Sequence, residues 1–192
     1  MSQTPTGDAE RFLALLKPIE RDLETYSRRL IWEPQEAPDA LQNAVMRAFG
    51  AFERYRPEAS FRAWMFKILT REAFALNRKH ARIARHEFQL EPEELAGLSN
   101  AAFEDNASSL TMPLESQPWE PDLAAGLKTL TDNERAVLLL RAIAELRYRE
   151  ISESLEIPLG SVMGHLARAR QKMRAFLDRA ARRARILKED HL

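Results

Sequence analysis

The residues best suited to chemistry lie near the C-terminus. Between Gly160 and Arg185 stand eight Lys or Arg against one acid, Asp178. Within that run Val162, Leu166, Ala169, Met173 and Leu177 recur at helical spacing and read as a buried face, which leaves Ser161, Met163, Gly164, His165, Arg168, Arg170, Lys172 and Arg174 for other work. A cationic helix with polar residues in its first turns can enter the major groove of duplex DNA. Its early residues then meet base edges and its later arginines meet phosphates. The bland alternative is a solvated helix that only aids solubility. Nothing comparable serves catalysis. The chain has no cysteine, no Gly-rich phosphate loop, no metal-spaced pair among His80, His86, His165 and His191, and no Ser/His/acid arrangement. The acids Glu93, Glu94 and Asp105 fall where no rigid scaffold would position them. No enzyme activity, cofactor or metal site is expected.

The elements around that helix support the same use. Tyr148 to Leu155, a turn Glu156 to Gly160 and a helix opening at Ser161 have the form of a helix-turn-helix. Upstream, Leu123, Leu127 and Leu130 end a short helix, and Thr131 to Glu134 has capping-box spacing for the next, whose buried face is Val137, Leu138, Leu140 and Ile143. The N-terminal part is helical too. Phe12, Leu15, Leu16, Ile19, Leu23, Tyr26 and Leu30 recur at threes and fours, with Pro18 breaking or kinking the run. A second helix follows Pro38 with Leu41, Val45, Ala48, Phe49 and Phe52 on one side. Glu53 to Ala59 is a loop, and Ser60 caps a third helix carrying Phe61, Trp64, Met65, Ile68, Leu69 and Leu76 before a basic end from Asn77 to His86. No internal repeat and no β-type alternation is visible.

The chain has 192 residues, 45% hydrophobic and 30% charged, with a net charge of zero. That zero is unevenly built. Residues 1–86 hold 15 Lys/Arg against 11 Asp/Glu, residues 87–125 hold none against 9, and residues 126–192 hold 14 against 9. Two weakly basic parts joined by an acidic, proline-containing connector suggest a polyanionic partner. The expected fold is all-α: two small helical domains, 1–86 and 123–192, joined by a flexible linker over 87–122. The longest run free of Asp, Glu, Lys and Arg, Ile157 to Ala167, is too short to span a bilayer, and Met1 to Glu10 has no secretory pattern. A cytoplasmic protein is expected.

Two separated blocks carry a resemblance to a known family. The stretches Glu134 to Arg141, Tyr148 to Ile151, Ile157 to Val162 and Leu166 to Arg170 resemble region 4 of bacterial sigma-70 family RNA polymerase sigma factors; Asp39 to Gln42 and Ser60 to Ile68 resemble region 2. The order, spacing and short length are similar to the extracytoplasmic-function (ECF) group, which keeps only these two domains. The resemblance implies a transcription initiation factor that directs core RNA polymerase to promoters and aids their melting. Region 2 would hold unpaired bases of the minus-10 element, with Tyr55, Phe61 and Trp64 as stacking faces and Arg54, Arg56, Arg62 and Lys67 as charge. Arg71 falls where many members place an Asn beside the flipped-base pocket. Region 4 would bind the minus-35 element through Ser161, Met163, Gly164, His165, Arg168, Arg170 and Lys172. There Met163 and His165 stand where relatives commonly carry Lys or Arg, and Gly164 stands for a Ser, so phosphate anchoring by Arg168 and Arg170 is retained while base readout changes.

The resemblance also implies partners. Asp39, Leu41, Gln42, Asn43 and Met46 match the helix that docks on the clamp helices of the largest polymerase subunit, with Asn43 where a second acid is usual. Region 4 would meet the flap of the second-largest subunit, and the acidic connector would thread the polymerase cleft. Promoter DNA and an anti-sigma factor complete the expected partners, and the free chain is expected to be monomeric. The rival reading is a one-component helix-turn-helix regulator that binds duplex DNA without polymerase; residues 1–86 suit it poorly because their aromatic block fits single strands.

Overall fold

The computed structural model describes residues 5–56, 60–88 and 120–189. Among these there is no strand, so the all-α expectation holds, and the acidic connector lies almost wholly outside the described residues.

The first unit begins with α1 (Pro5–Leu16), a 3-10 turn (Lys17–Ile19) and α2 (Glu20–Leu30). Pro18 explains the break, since it lacks the N–H that would continue the ladder yet fits a first helical turn. Phe12, Leu16, Ile19, Leu23, Tyr26 and Leu30 are all buried, as their spacing requires. Helix α3 (Ala37–Gly50) carries Pro38 in its first turn. Its buried stripe differs from expectation: Ala37, Ala40, Ala44 and Ala48 face inward, Leu41 and Val45 are half-buried, and Phe49 is 46% exposed. Small alanines let α3 approach α2 and α4 closely, so the bulky residues are displaced to its flanks.

A 3-10 turn (Phe52–Arg54) replaces the start of the expected loop. Ser60 then caps α4 (Phe61–Phe88): its Oγ accepts the Ala63 N–H at 3.2 Å and its carbonyl accepts the Trp64 N–H at 3.0 Å. Phe61, Met65, Phe66, Leu69 and Ala73 fill the core from α4. Tyr26 meets Phe66 edge-on at 5.1 Å, and its hydroxyl pairs with Thr70 Oγ1 at 2.7 Å; burial pushes this phenol well above its ordinary pKa. Asn77 is fully buried and belongs to the core, not to a basic tail. Its Oδ1 accepts the Trp32 N–H at 3.1 Å and its Nδ2 donates to the Leu30 carbonyl at 3.3 Å, closing the end of α2.

The second unit comprises α5 (Glu120–Lys128), α6 (Asp132–Ala142), α7 (Tyr148–Leu155) and α8 (Leu159–Glu189). The capping box forms as spaced: Thr131 Oγ1 accepts the Glu134 N–H, and the Glu134 carboxylate accepts the Thr131 N–H at 3.1 Å. Gly126 permits a close crossing of α5 and α8, because a Cβ there would lie 3.0 Å from the Met173 methyl. The buried Arg135 donates to the Leu127 carbonyl at 2.9 Å and ties α5 to α6.

Two expectations about the helix-turn-helix need correction. Helix α8 opens at Leu159, not Ser161, and Gly160 lies inside its first turn. The left-handed residue that makes the turn is Glu156, with φ 57°, so the glycine does not supply the reversal. Leu177 is 39% exposed and not core, because α8 runs on past the helices that cover its first turns.

Candidate nucleic-acid interface

Helix α8 lays Val162, Leu166, Ala169 and Met173 against the core of its unit. With 3.6 residues per turn, the side facing away from that core carries Gly160, Gly164, Ala167 and Gln171. The residues expected to read duplex DNA therefore form two rows along a low, small-residue strip. Ser161, His165, Arg168 and Lys172 form the row beside the start of α6. Met163, half-exposed, and Arg170 form the other, where Arg170 lies near Leu138, Arg141, Ala142 and Glu145.

The first row is organised by a residue that capping alone had explained in the sequence. Glu134 is 3% exposed, and besides closing its capping box it accepts from Arg168 Nε at 3.3 Å and from Lys172 Nζ at 2.8 Å. Burial by itself would raise its pKa, but the hydrogen bonds from Lys172, Thr131 and Arg168 outweigh burial and hold it below the ordinary value of 4.5. Two of the cations expected on the minus-35 duplex, Arg168 and Lys172, are thus aimed by one buried carboxylate.

In the first unit the expected minus-10 residues gather on the start of α4 and the turn before it. Tyr55 and Trp64 are partly exposed with ring centroids 5.2 Å apart. Phe61 is placed differently: it is 7% exposed, edge-on to Phe12 and Tyr55, and its faces belong to the core. Arg54 and Arg56 are exposed.

Arg62, Lys67 and Arg71 contact the helix-turn-helix unit. Arg62 Nε donates to the Ala144 carbonyl at 2.6 Å, and its Nη2 donates to the Ile143 carbonyl at 2.8 Å and to Asp22 at 2.6 Å. Those carbonyls lie at the cap of α6 and one residue beyond it, next to the end where a helix presents partial negative charge. Lys67 Nζ donates to the Glu153 carbonyl at 2.9 Å and pairs with Glu156, which also pairs with Arg71. Arg71, then Lys67, lowers the Glu156 pKa below its ordinary value. Trp32 Nε1 adds a bond to Asp132 at 3.0 Å. Sequence spacing gave no sign of this clasp, since its partners lie 81 to 100 residues apart.

Hydrogen bonds to charged groups are worth about 1.5–3 kcal/mol each, less where water competes. Arg62→Ala should therefore shift the chain toward separated units by roughly tenfold or more. Energy transfer between dyes on α1 and α8 should fall in the free protein; unchanged transfer would show that Arg62 does not hold the units together.

The expected docking residues line the outer side of α3. Asp39, Gln42 and Asn43 are exposed, Leu41 is half-buried, and Met46 is 66% exposed. Phe49, one turn further on, is exposed as well, although spacing puts it on the apolar side with Leu41 and Val45.

Among the described residues, no group of His, Asp and Glu is placed to hold a metal ion, and no helix is long and apolar enough to cross a membrane. The fold and site define a two-unit helical protein in which a helix-turn-helix accompanies an aromatic and cationic helix. Its family follows from two sequence models: Sigma-70 region 2 matches residues 15–83, and Sigma-70 region 4 matches residues 122–173. The chain belongs to the sigma-70 family, in its ECF group.

Relatives agree. The chain is 28% identical over 149 residues to the ECF RNA polymerase sigma factor SigE of Mycolicibacterium smegmatis, covering 78% of this chain but only 54% of that protein. It is 23% identical over 180 residues to the ECF sigma factor SigW of Bacillus subtilis, covering 92% and 94%. Two solved structures share the fold. The sigma factor RpoE from Bartonella quintana, in complex with the anti-sigma factor NepR, aligns with a TM-score of 0.70 at 18% identity, covering 89% of this chain and 97% of that one. CnrH, in complex with the cytosolic domain of CnrY, aligns at 0.61 and 24%, covering 91% and 92%.

Proposed function

We propose that this chain is an ECF-type transcription initiation factor, which binds core RNA polymerase in the cytoplasm and directs it to promoters. The observation that carries this reading is the combination in one chain of a duplex-reading helix and an α4 helix whose first turns join Trp64 to several cations, backed by the match to both sigma regions. The labour divides between residues 1–86, which dock on the polymerase clamp helices and hold minus-10 bases, and residues 123–192, which hold the minus-35 duplex and meet the flap.

On α3, Met46 and the adjoining Phe49 offer the apolar contact on which stable interfaces depend, with Asp39, Gln42 and Asn43 at its rim. Tyr55 and Trp64 remain as stacking faces, with Arg54 and Arg56 exposed beside them. Arg62, Lys67 and Arg71 cannot hold DNA and the helix-turn-helix unit at once, so promoter capture requires the clasp to release. An anti-sigma protein is a further partner, in keeping with the two complexes that share the fold.

Gel filtration of the purified chain with bacterial core polymerase at low salt tests docking. Co-elution as a one-to-one complex is expected. Tight binding to intact duplex without any co-elution would instead favour the one-component regulator.

A further inference from the structure

Arg168 makes three contacts that fix more than its own position. Its Nε is held by the buried Glu134, and its Nη2 lies 3.0 Å from His165 Nδ1. Its Nη1 folds back over Gly164, where even a Cβ would lie 3.4 Å away. A guanidinium has only N–H donors and does not lose its proton in a protein, so the hydrogen bond between them requires Nδ1 of His165 to be the acceptor. An imidazole accepting through Nδ1 is neutral and carries its proton on Nε2. Burial and the Arg168 charge both lower the pKa of His165, which agrees with that form. No hydrogen bond of Nε2 occurs among the described residues, and His165 lies in the second turn of α8, beside the small-residue strip.

We propose that His165 is a specificity-determining residue of the duplex-reading helix: Arg168 and Glu134 lock it as a single N–H donor through Nε2, and it selects guanine at the base pair it meets. Guanine alone presents two adjacent acceptors, N7 and O6, to the major groove. Adenine sets its one acceptor beside a donor, thymine sets its O4 beside a methyl group, and cytosine offers a donor only. The proposal rests on the reading of α8 as the minus-35 helix.

The test selects minus-35 sequences from a randomised duplex library, using core polymerase carrying the wild-type chain, His165→Ala or His165→Gln, each shown by circular dichroism to be folded. Wild type should enrich guanine at one position, and both variants should lose that preference alone, by about five- to tenfold. Replacing that guanine by 7-deazaguanine should weaken wild-type binding several-fold and leave His165→Ala almost unaffected. Loss spread evenly over all sequences would mean that His165 contacts the backbone, and unchanged enrichment in both variants would mean that it reads nothing; either result overturns the proposal. A wild-type complex that enriches no sequence would overturn the initiation-factor reading itself, and this inference with it.

Discussion

Phe66→Ala is expected to leave the first helical unit only marginally stable. The ring is 0% exposed, meets Tyr26 edge-on, and stands beside Thr70, whose hydroxyl donates to the Phe66 carbonyl at 2.7 Å. Truncating a buried phenylalanine costs about 3–5 kcal/mol, because the transfer energy is lost and a cavity remains. Whole domains are stable by only about 5–15 kcal/mol, and one of this size sits at the lower end. Helix α3 packs on α4, so the docking face proposed for α3 should be lost together with the core. Circular dichroism in a urea series should show the first unit unfolding at far lower denaturant. A change below about 1 kcal/mol would contradict the placement of Phe66.

Glu134→Ala should have the next largest effect, on the second unit. It removes one arm of a capping box, worth about 1 kcal/mol, and leaves Lys172 and Arg168 without their buried partner. Both cations are partly exposed and can recover water, so the expected total is about 2–4 kcal/mol, below what a fully buried pair would lose. The sign of the pH dependence is fixed by the carboxylate. Its folded pKa lies below the unfolded value of 4.5, so its stabilisation is complete above 4.5 and is lost as pH falls through the folded value. Glu134→Gln, which keeps the capping geometry, should flatten that acid limb of the stability curve. Thermal melts of the isolated variants between pH 3 and 7 provide the check, and an acid limb equally steep in Glu134→Gln would rule out this carboxylate as its source.

Much of the helical framework could be read from spacing, because a helix buries one stripe and its ends carry local chemistry. The capping box at Thr131, the break at Pro18, the cap at Ser60 and the inward face of α2 all depend on residues within four positions of one another. The failures share a cause. Phe49 is large and in phase with the apolar side of α3, but a stripe of alanines takes the inward position and brings α3 closer to its neighbours. Phe61, expected to offer a stacking face, is instead enclosed by Phe12, Phe52 and Tyr55, none of which could be known as neighbours from periodicity. Asn77 looked like the start of a basic tail, yet it closes α2 from a distance of more than forty residues.

The candidate site divides in the same way. The residue types were legible: a cationic helix, an aromatic and basic block, and Asp39 with Gln42 after Pro38. Their pairing was not. Glu134 had a complete local explanation as a capping residue, so nothing in the sequence pointed to its second role under Arg168 and Lys172. The use of Arg62 on the end of α6 is equally invisible, because a backbone carbonyl leaves no mark on residue type.

On the proposed reading, this chain supplies promoter choice and melting to core RNA polymerase. Run-off transcription from a random promoter library, using purified bacterial core polymerase with and without the chain, tests it most directly. Discrete transcripts that appear only when the chain is added, and whose templates share two elements about one minus-10 to minus-35 spacing apart, are the expected result. Identical transcript patterns with and without the chain would mean that it does not choose promoters.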